Sequence, residues 1–524
     1  MKHTITLFFI IFSALLAGCN NNKSLMNAKG FSLEEATIAE IHNAYTEHVM
    51  TCEDLVLMYL DRIDKLDKST GLNSIVVINQ EAISIARELD REFRKTGTLR
   101  PLHGIPVIVK DNYNTIGLQT AAGSLAMKGF EPETDSYIVK MLKDAGAIVL
   151  VKSNMAEWAF SPMVTISSIA GETLNPYNLE HVPAGSSGGT AAAVAANFGA
   201  VGIGTDTGNS IRGPSSHNAL VGFRATIGLI SRSGIAPLYL RNDIGGPMTR
   251  TVEDAVRILD VIAGYDPEDP VTAHSEGRVP DSYLDFLDNN GLEGARIGVL
   301  REVSDKDPDP AIDSLFTVAI SDLKRLGSVI IDPCEIKGFD SLRRDQWCST
   351  FQYDINTWLS AQGENVPVKN LKEIVASGKF SDYISDDLKW HLNFEVIPEK
   401  REQPCFDAYT DPKRTAFRNA IENVMDSLDL DAIIFPTWNN PPARVGDFDG
   451  YKGDNSQIIS PHTGQPGFTV PMGYTYADLP AGLQFLGRMY DEPTLIKLCY
   501  SYEQGTKHRK PPAAFSGLTE NEPR

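Results

Sequence analysis

The chain has 524 residues, of which 42% are hydrophobic, so it can bury the core of a large globular enzyme. It carries 48 Lys and Arg residues against 68 Asp and Glu residues, which gives a formal net charge of −20 at pH 7. A surface of this sign repels nucleic-acid phosphates, so we expect no nucleic acid among its partners.

The N-terminus predicts export. After a short basic start, an apolar stretch runs from Leu7 to Ala17 and is too short to span a bilayer as a helix. The following LAGC resembles the end of a bacterial lipoprotein signal, which implies that residues 1–18 are removed and that Cys19 is lipidated. The alternative is a plain secretory signal with a coincidental cysteine.

The polar residues 19–30 follow as a predicted flexible tether. We therefore expect a protein that is lipid-anchored in the bacterial cell envelope. Asn20, in place of an aspartate retention signal, favours the outer membrane of a Gram-negative host.

Strands and helices alternate along the rest of the chain, which predicts an α/β fold. Two capped helices are expected first, with Ser32 paired with Glu35 and Thr51 paired with Asp54. The later elements are strand 74–78, a helix through Leu89, strand 105–110, helix 135–146, strand 147–151, an alanine-rich helix after residue 187, and strands 200–205, 296–300 and 431–436.

The run from Pro183 to Thr226 places glycine and hydroxyl residues on both sides of the alanine-rich helix. Glycines let the backbone come close to a substrate and leave its N–H groups accessible, and serines can act as nucleophiles. The run is therefore typical of a serine hydrolase site. Chain flexibility alone is the plainer interpretation.

The sequences AGSSGGT and GTDTGNSIRGPS within this run resemble the signature of the amidase signature family. The family implies a mixed central sheet covered by helices on both faces, and its peptide amidases are the most similar members. About residues 32–510 share the resemblance, carried also by LHGIPVIVKDN (102–112), VKSNMAEWAF (151–160), GLISRSGIAPLYLRNDIGGPMTRTVEDA (228–255), PGFTVPMG and PAGLQFLG.

The resemblance implies a catalytic triad in which Ser210 is the acyl-forming nucleophile, Ser186 relays its proton and Lys110 is the base. It also implies a cis peptide bond before Ser186. Backbone N–H groups would form the oxyanion hole at Thr207, Gly208, Asn209 and Ser210. The implied reaction is hydrolysis of a carboxylic amide, with C-terminally amidated peptides as the first candidate substrates.

The lysine must be neutral to accept a proton, although its ordinary pKa is about 10.4. Lys110 ends the apolar run GIPVIVK, so burial should lower its pKa. Lys152 also ends an apolar strand, and periodicity alone leaves both lysines open; only the family pattern selects Lys110.

Asn209 departs from the family, in which glycine usually precedes the nucleophile. We expect it to be tolerated because Asn adopts positive φ more readily than other non-glycine residues. Ala184 and Thr190 are milder departures.

Two alternative functions remain. Gly185, Ser187 and Gly189 also fit GxSxG, the nucleophile elbow of esterases, but that motif requires a preceding strand and the residues before it are turn-forming. The other alternative is a non-catalytic lipoprotein of the cell envelope that uses an amidase scaffold for binding. Such a protein should lack a triad residue, but all three are present in this sequence.

No metal or cofactor motif is present, so we expect neither. The sequence blocks that carry the site are spread through the chain and must meet in space, which favours one domain over 31–524. Within it, a variable helical region at 335–430 should set substrate selectivity. Five cysteines besides Cys19 leave at least one thiol free and any disulfide optional: Cys52, Cys334, Cys348, Cys405 and Cys499.

Overall fold

The computed structural model describes residues 30–447 and 450–516. The predicted signal, Cys19 and all but the last residue of the predicted tether lie outside the described residues. Within the described ranges, no helix has the length and apolar character needed to cross a membrane.

Within those ranges the chain forms thirteen strands. Eleven of them build one sheet, and two short ones pair by themselves. The strands are β1 (Ile75–Ile78), β2 (Pro106–Lys110), β3 (Ile148–Ser153), β4 (Ile166–Ser167), β5 (Gly171–Glu172), β6 (Val201–Asp206), β7 (Val221–Arg224), β8 (Ile244–Thr249), β9 (Arg296–Val299), β10 (Val329–Ile331), β11 (Ala432–Pro436), β12 (Gly467–Tyr474) and β13 (Pro480–Leu486).

The large sheet has the order β1-β3-β2-β6-β8-β7-β12-β13-β11-β9-β10. Four neighbouring pairs are parallel, namely β2 with β3, β2 with β6, β9 with β10 and β9 with β11, and the others are antiparallel. The predicted α/β fold with a mixed central sheet is thus confirmed.

Helices flank this sheet. They are α1 (Ile38–Thr46), α2 (Cys52–Leu66), α3 (Ala82–Thr96), α4 (Tyr137–Asp144), α5 (Gly188–Ala195), α6 (Arg212–His217), α7 (Val252–Ile262), α8 (Arg301–Ser304), α9 (Pro310–Arg325), α10 (Phe339–Leu342), α11 (Phe351–Ser360), α12 (Leu371–Ser377), α13 (Ser385–His391), α14 (Pro412–Ser427), α15 (Ile459–Thr463) and α16 (Glu492–Thr506). Short 3₁₀ helices lie at Leu125–Met127, Glu157–Ala159, Pro270–Ser275, Tyr283–Phe286, Asp382–Ile384, Pro398–Lys400, Tyr476–Asp478 and Ala513–Phe515.

The first helix begins later than the sequence predicts. Its capping box is formed by Thr37 and Glu40, so the prediction of Ser32 with Glu35 is wrong. Glu35 instead has a positive φ of 62°, and Arg509 Nε donates to its carboxylate at 2.7 Å. The second predicted capping box, Thr51 with Asp54, is confirmed.

Helix α5 is packed against β2, β6 and β8, and all eight of its residues are buried. Its first two positions leave no room for a side chain, since at Gly188 a Cβ atom would lie 2.2 Å from Thr165 Oγ1. At Gly189 a Cβ atom would lie 2.1 Å from the carbonyl oxygen of Asn154. The small residues of α5 therefore let its N-terminus, with the serines that precede it, lie directly on the strands.

The predicted helical region at 335–430 contains α10 to α14. Its apolar residues, including Phe351 and Leu359, form a second core with residues such as Met127 and Trp158. Cys348 and Cys405 form a disulfide, and the thiols of Cys52, Cys334 and Cys499 are free and buried.

Candidate active site

Strands β2 and β6 bring the candidate residues together. They are parallel neighbours in the register Val107 with Val201 through Val109 with Ile203. Their carboxyl ends therefore lie at one edge of the sheet, where parallel-sheet proteins commonly place their sites. Lys110 is the last residue of β2, and the loop 207–210 directly follows β6.

Lys110 is fully buried, and its Nζ donates to Ser186 Oγ at 2.7 Å and to Thr205 Oγ1 at 2.7 Å. Burial disfavours the ammonium form and lowers the pKa of Lys110 to about 7, against the opposing effect of the Asp206 and Asp243 carboxylates. A neutral amine, able to accept a proton from a hydroxyl, is therefore available near neutral pH.

Ser186 is buried beside this lysine, and the peptide bond that joins it to Gly185 is cis, as the family resemblance implies. Its carbonyl oxygen accepts from the backbone N–H of Ala156 at 3.0 Å. At Gly185 a Cβ atom would lie 2.3 Å from the carbonyl oxygen of Val164, which explains the glycine.

Ser210 lies two residues before α6 and is 4% exposed. Within the described part of the chain, its hydroxyl has no hydrogen-bond partner, so no Ser186–Ser210 hydrogen bond is present. The backbone N–H groups of Gly208, Asn209 and Ser210 likewise have no acceptor among the described residues. A nucleophile and three N–H donors are therefore free to meet a carbonyl group.

A buried ion pair holds the loop 207–210 in place. Asp206 accepts from Arg212 Nε at 3.1 Å and from Arg224 Nη1 at 2.9 Å, and all three side chains are fully buried. Burial by itself would raise the pKa of Asp206, but the two guanidinium groups hold it below its ordinary value. Arg212 Nη2 also donates to the carbonyl oxygen of Gly208, which ties the loop to the same ion pair.

Asn209 is fully buried, and its φ is outside the left-handed region. The expectation that Asn survives here by adopting positive φ is therefore wrong, because the backbone does not require it. Its Nδ2 donates to the carbonyl oxygen of Asn455 at 3.0 Å, while its Oδ1 is buried without a partner within the described residues.

The two alternative residues are engaged elsewhere. Ser187 Oγ donates to the carbonyl oxygen of Thr205 at 3.1 Å and accepts from its N–H at 3.2 Å. Lys152 Nζ donates to the carbonyl oxygen of Tyr113 at 2.5 Å and to Thr120 Oγ1 at 3.2 Å, and to no serine in the described part of the chain. No strand directly precedes Ser187, so the elbow context is absent from the described chain.

Three polar residues at the site were missed by the sequence reasoning. Thr205 Oγ1 accepts from Lys110 and from Asn112 Nδ2, and Asp243 accepts from Thr207 Oγ1 at 2.5 Å. Thr205 could have been found from its place at the end of the predicted strand 200–205. Asp243 lies in the block 228–255 that carries the family resemblance, but no predicted strand ends beside it.

The variable region also reaches the site. The position that a Cβ atom would take at Gly208 lies 3.0 Å from Gln457 Oε1 and 3.4 Å from Cη2 of Trp347. Trp347 belongs to the predicted variable region and is 40% exposed. One wall beside the free N–H groups is therefore aromatic.

Comparison with known proteins agrees with this geometry. The amidase family model matches residues 54–496. A probable amidase of Arabidopsis thaliana is 33% identical over 97% of this chain and 97% of its own length. A glutamyl-tRNA(Gln) amidotransferase subunit from Syntrophus aciditrophicus is 32% identical over 91% of this chain and 99% of its own length.

Among solved structures, native peptide amidase from Stenotrophomonas maltophilia superposes with a TM-score of 0.81. The two chains are 34% identical, and the match covers 92% of this chain and 99% of the other. The likeness is therefore one of whole chains rather than of a single motif.

Proposed function

The chain belongs to the amidase family and is an amide-hydrolysing enzyme, and we propose that it works through Ser210, Ser186 and Lys110. In this mechanism Ser210 Oγ attacks the amide carbonyl carbon. Its proton moves to Ser186 Oγ while the Ser186 proton moves to the neutral amine of Lys110. The N–H groups of Thr207, Gly208, Asn209 and Ser210 receive the developing oxyanion.

Collapse of the tetrahedral intermediate breaks the C–N bond, and the proton held at Lys110 returns through Ser186 to the leaving amine or ammonia. Water then attacks the acyl group on Ser210 by the same proton route and releases the carboxylic acid. Each turnover thus restores the neutral lysine and both hydroxyl groups.

The observation that carries this proposal is the contact between Lys110 Nζ and Ser186 Oγ at 2.7 Å inside a fully buried site. The other buried strand-end lysine, Lys152, donates to loop oxygens of Tyr113 and Thr120 instead. Lys110 meets two hydroxyl groups, of Ser186 and Thr205, in a setting that removes its charge near neutral pH.

As substrates we propose C-terminally amidated peptides first, and other aliphatic or aryl amides second. The similarity to peptide amidase in fold and sequence supports this order. We expect no nucleic-acid partner, although a glutamyl-tRNA(Gln) amidotransferase subunit is also similar, because this chain has a net charge of −20.

We also propose that the enzyme is exported and anchored through Cys19. The disulfide between Cys348 and Cys405 supports export, because disulfides persist mainly in oxidising compartments. Metabolic labelling with a radioactive fatty acid tests the anchor, since a Cys19→Ser variant should lose the label.

The experiment that tests the mechanism uses the full chain purified in detergent and measures ammonia release from amidated peptides and simple amides. We expect Ser210→Ala to abolish turnover and Ser187→Ala to retain it. A fluorophosphonate probe followed by peptide mapping should label Ser210, because such probes modify the nucleophilic serine.

Labelling of Ser187 with loss of turnover in Ser187→Ala would instead establish the esterase-type elbow. If the wild-type chain releases no ammonia from any amide of the panel, the amidated-peptide proposal is wrong, and a binding role gains weight.

A further inference from the structure

Trp347 lies where it can meet the acyl part of a bound substrate. Its ring edge borders Gly208, between the predicted N–H donors at Thr207 and Asn209. If the leaving group is ammonia, as the proposed function states, the acyl part is the only portion of the substrate large enough to reach this ring.

The backbone on both sides of Trp347 is fixed. Arg241 is 5% exposed, and its Nη2 donates to the carbonyl oxygen of Gln346 at 2.5 Å while its Nη1 donates to that of Pro404. The disulfide of Cys348 with Cys405 joins the same two segments. Trp347 therefore stands between a buried guanidinium contact and a covalent crosslink.

The ring itself is also supported. It meets His462 edge-on with ring centroids 4.5 Å apart and Tyr239 edge-on at 5.9 Å. Burial, with the nearby Arg414 and Arg241, keeps the pKa of His462 well below its ordinary value, so this neighbour is neutral.

Even so, 40% of Trp347 is exposed, and within the described residues no lysine or arginine stacks on its ring. An exposed tryptophan held rigidly beside a reactive loop is the kind of group that contributes most to recognition. Because its side chain is already ordered, binding a ligand costs little further conformational entropy.

From this geometry we infer that Trp347 is a specificity-determining residue which binds the side chain of the residue bearing the scissile carboxamide. An aromatic or large aliphatic side chain of the substrate would contact the Trp347 ring, whereas glycine, whose side chain is a hydrogen atom, would not. This inference rests on the proposed function and names its preferred substrates as amides of aromatic and large apolar residues.

The test compares kcat/KM for N-acetyl-phenylalaninamide and N-acetylglycinamide. We expect the wild-type chain to prefer the phenylalanine amide and Trp347→Ala to lower that preference about tenfold or more. The change should appear mainly as a higher KM for the phenylalanine amide, with turnover of the glycine amide retained.

Trp390→Ala is the matched control, because Trp390 is 49% exposed and its ring packs against Phe394 and His391. Its preference should equal that of the wild type. If Trp347→Ala does not fold, Trp347→Leu keeps an apolar side chain and should show a smaller loss of preference.

An unchanged preference in the folded Trp347 variant, or an equal loss in Trp390→Ala, would overturn the inference. Equal use of both amides by the wild type would overturn it and leave the proposed amidase function standing. No ammonia from either amide would overturn the inference, and no ammonia from any amide of the panel would overturn the amidated-peptide proposal as well.

Discussion

Asn209 Nδ2 donates to the carbonyl oxygen of Asn455 at 3.0 Å. This bond ties the loop that carries the free N–H groups to the segment that carries Gln457, whose side chain borders Gly208. The residue that departs from the family pattern therefore links two walls of the candidate site.

Replacing Asn209 with glycine should weaken this link. Loss of one hydrogen bond is worth about 1 kcal/mol, which corresponds to about a fivefold fall in kcat/KM if the loop must be ordered for the reaction. Steady-state kinetics on an amidated peptide and a thermal melt measure the two effects. Asn209→Ala separates them, because it removes the bond without adding backbone freedom.

If Asn209→Gly is as active and as stable as the wild type, the link has no part in catalysis. If only the glycine variant loses activity, the backbone restriction matters more than the bond.

The activity should depend on the protonation of Lys110. Because only the neutral amine accepts a proton and its pKa is about 7, kcat/KM should rise through pH 7 and level off above it. A pH profile of the wild type checks this. Lys110→Met should be inactive at every pH.

Lys152→Met is the matched control for this experiment. Burial lowers the pKa of Lys152 against the opposing effect of the Asp111 carboxylate, but within the described residues its Nζ donates to loop oxygens and to no serine. We expect this variant to melt at a lower temperature while it keeps the wild-type pH profile. A profile that changes in Lys152→Met and not in Lys110 variants would reverse the assignment of the base.

Breaking the buried pair beneath the loop should unfold the protein more readily. Asp206→Asn leaves Arg212 and Arg224 buried without their carboxylate, which should lower the free energy of unfolding by about 3 to 5 kcal/mol. Urea titration followed by circular dichroism measures the change.

The exposed pair of Lys140 and Asp144 provides the control, since both side chains are about 60% exposed. Asp144→Asn should change the free energy of unfolding by less than about 0.5 kcal/mol. A similar loss in the two variants would mean that the Asp206 pair contributes no more than a surface contact.

The disulfide should matter for stability and for the position of Trp347. It closes a separation of 57 residues, so replacing Cys348 and Cys405 with serine should cost about 2 to 4 kcal/mol. KM for an aromatic amide should rise more than KM for N-acetylglycinamide. A reducing agent should lower the Tm of the wild type and leave that of the double variant unchanged.

Much of the sheet could be predicted from the sequence because its strands are short, apolar and bounded by turn residues. The predicted strands 105–110 and 200–205 agree within one residue with β2 and β6, which end at Lys110 and Asp206. The start of the first helix could not be predicted in this way, because Ser32 and Thr37 both begin a capping pattern and Glu35 pairs with Arg509, far away in the sequence.

Only part of the site could be predicted, because distant contacts decide the rest of it as well. Local motifs and the family pattern indicated Lys110 and Ser186, which the fold places in contact. The roles of Asp243 and Trp347 depend on contacts between segments far apart in the chain, so the block 228–255 and the variable region could be singled out from the sequence, but not these residues within them.

The pairing of β2 with β6 has a consequence for how such an enzyme can diversify. The lysine and the nucleophile loop emerge from adjacent strands fixed by one register, whereas the region at 335–430, which contributes Trp347, lies outside both strands and carries none of the proposed triad. That region can lengthen, shorten or exchange side chains without moving the reacting groups. Changes in this region can therefore admit new amide substrates while Lys110 and the nucleophile loop keep the positions that the sheet gives them.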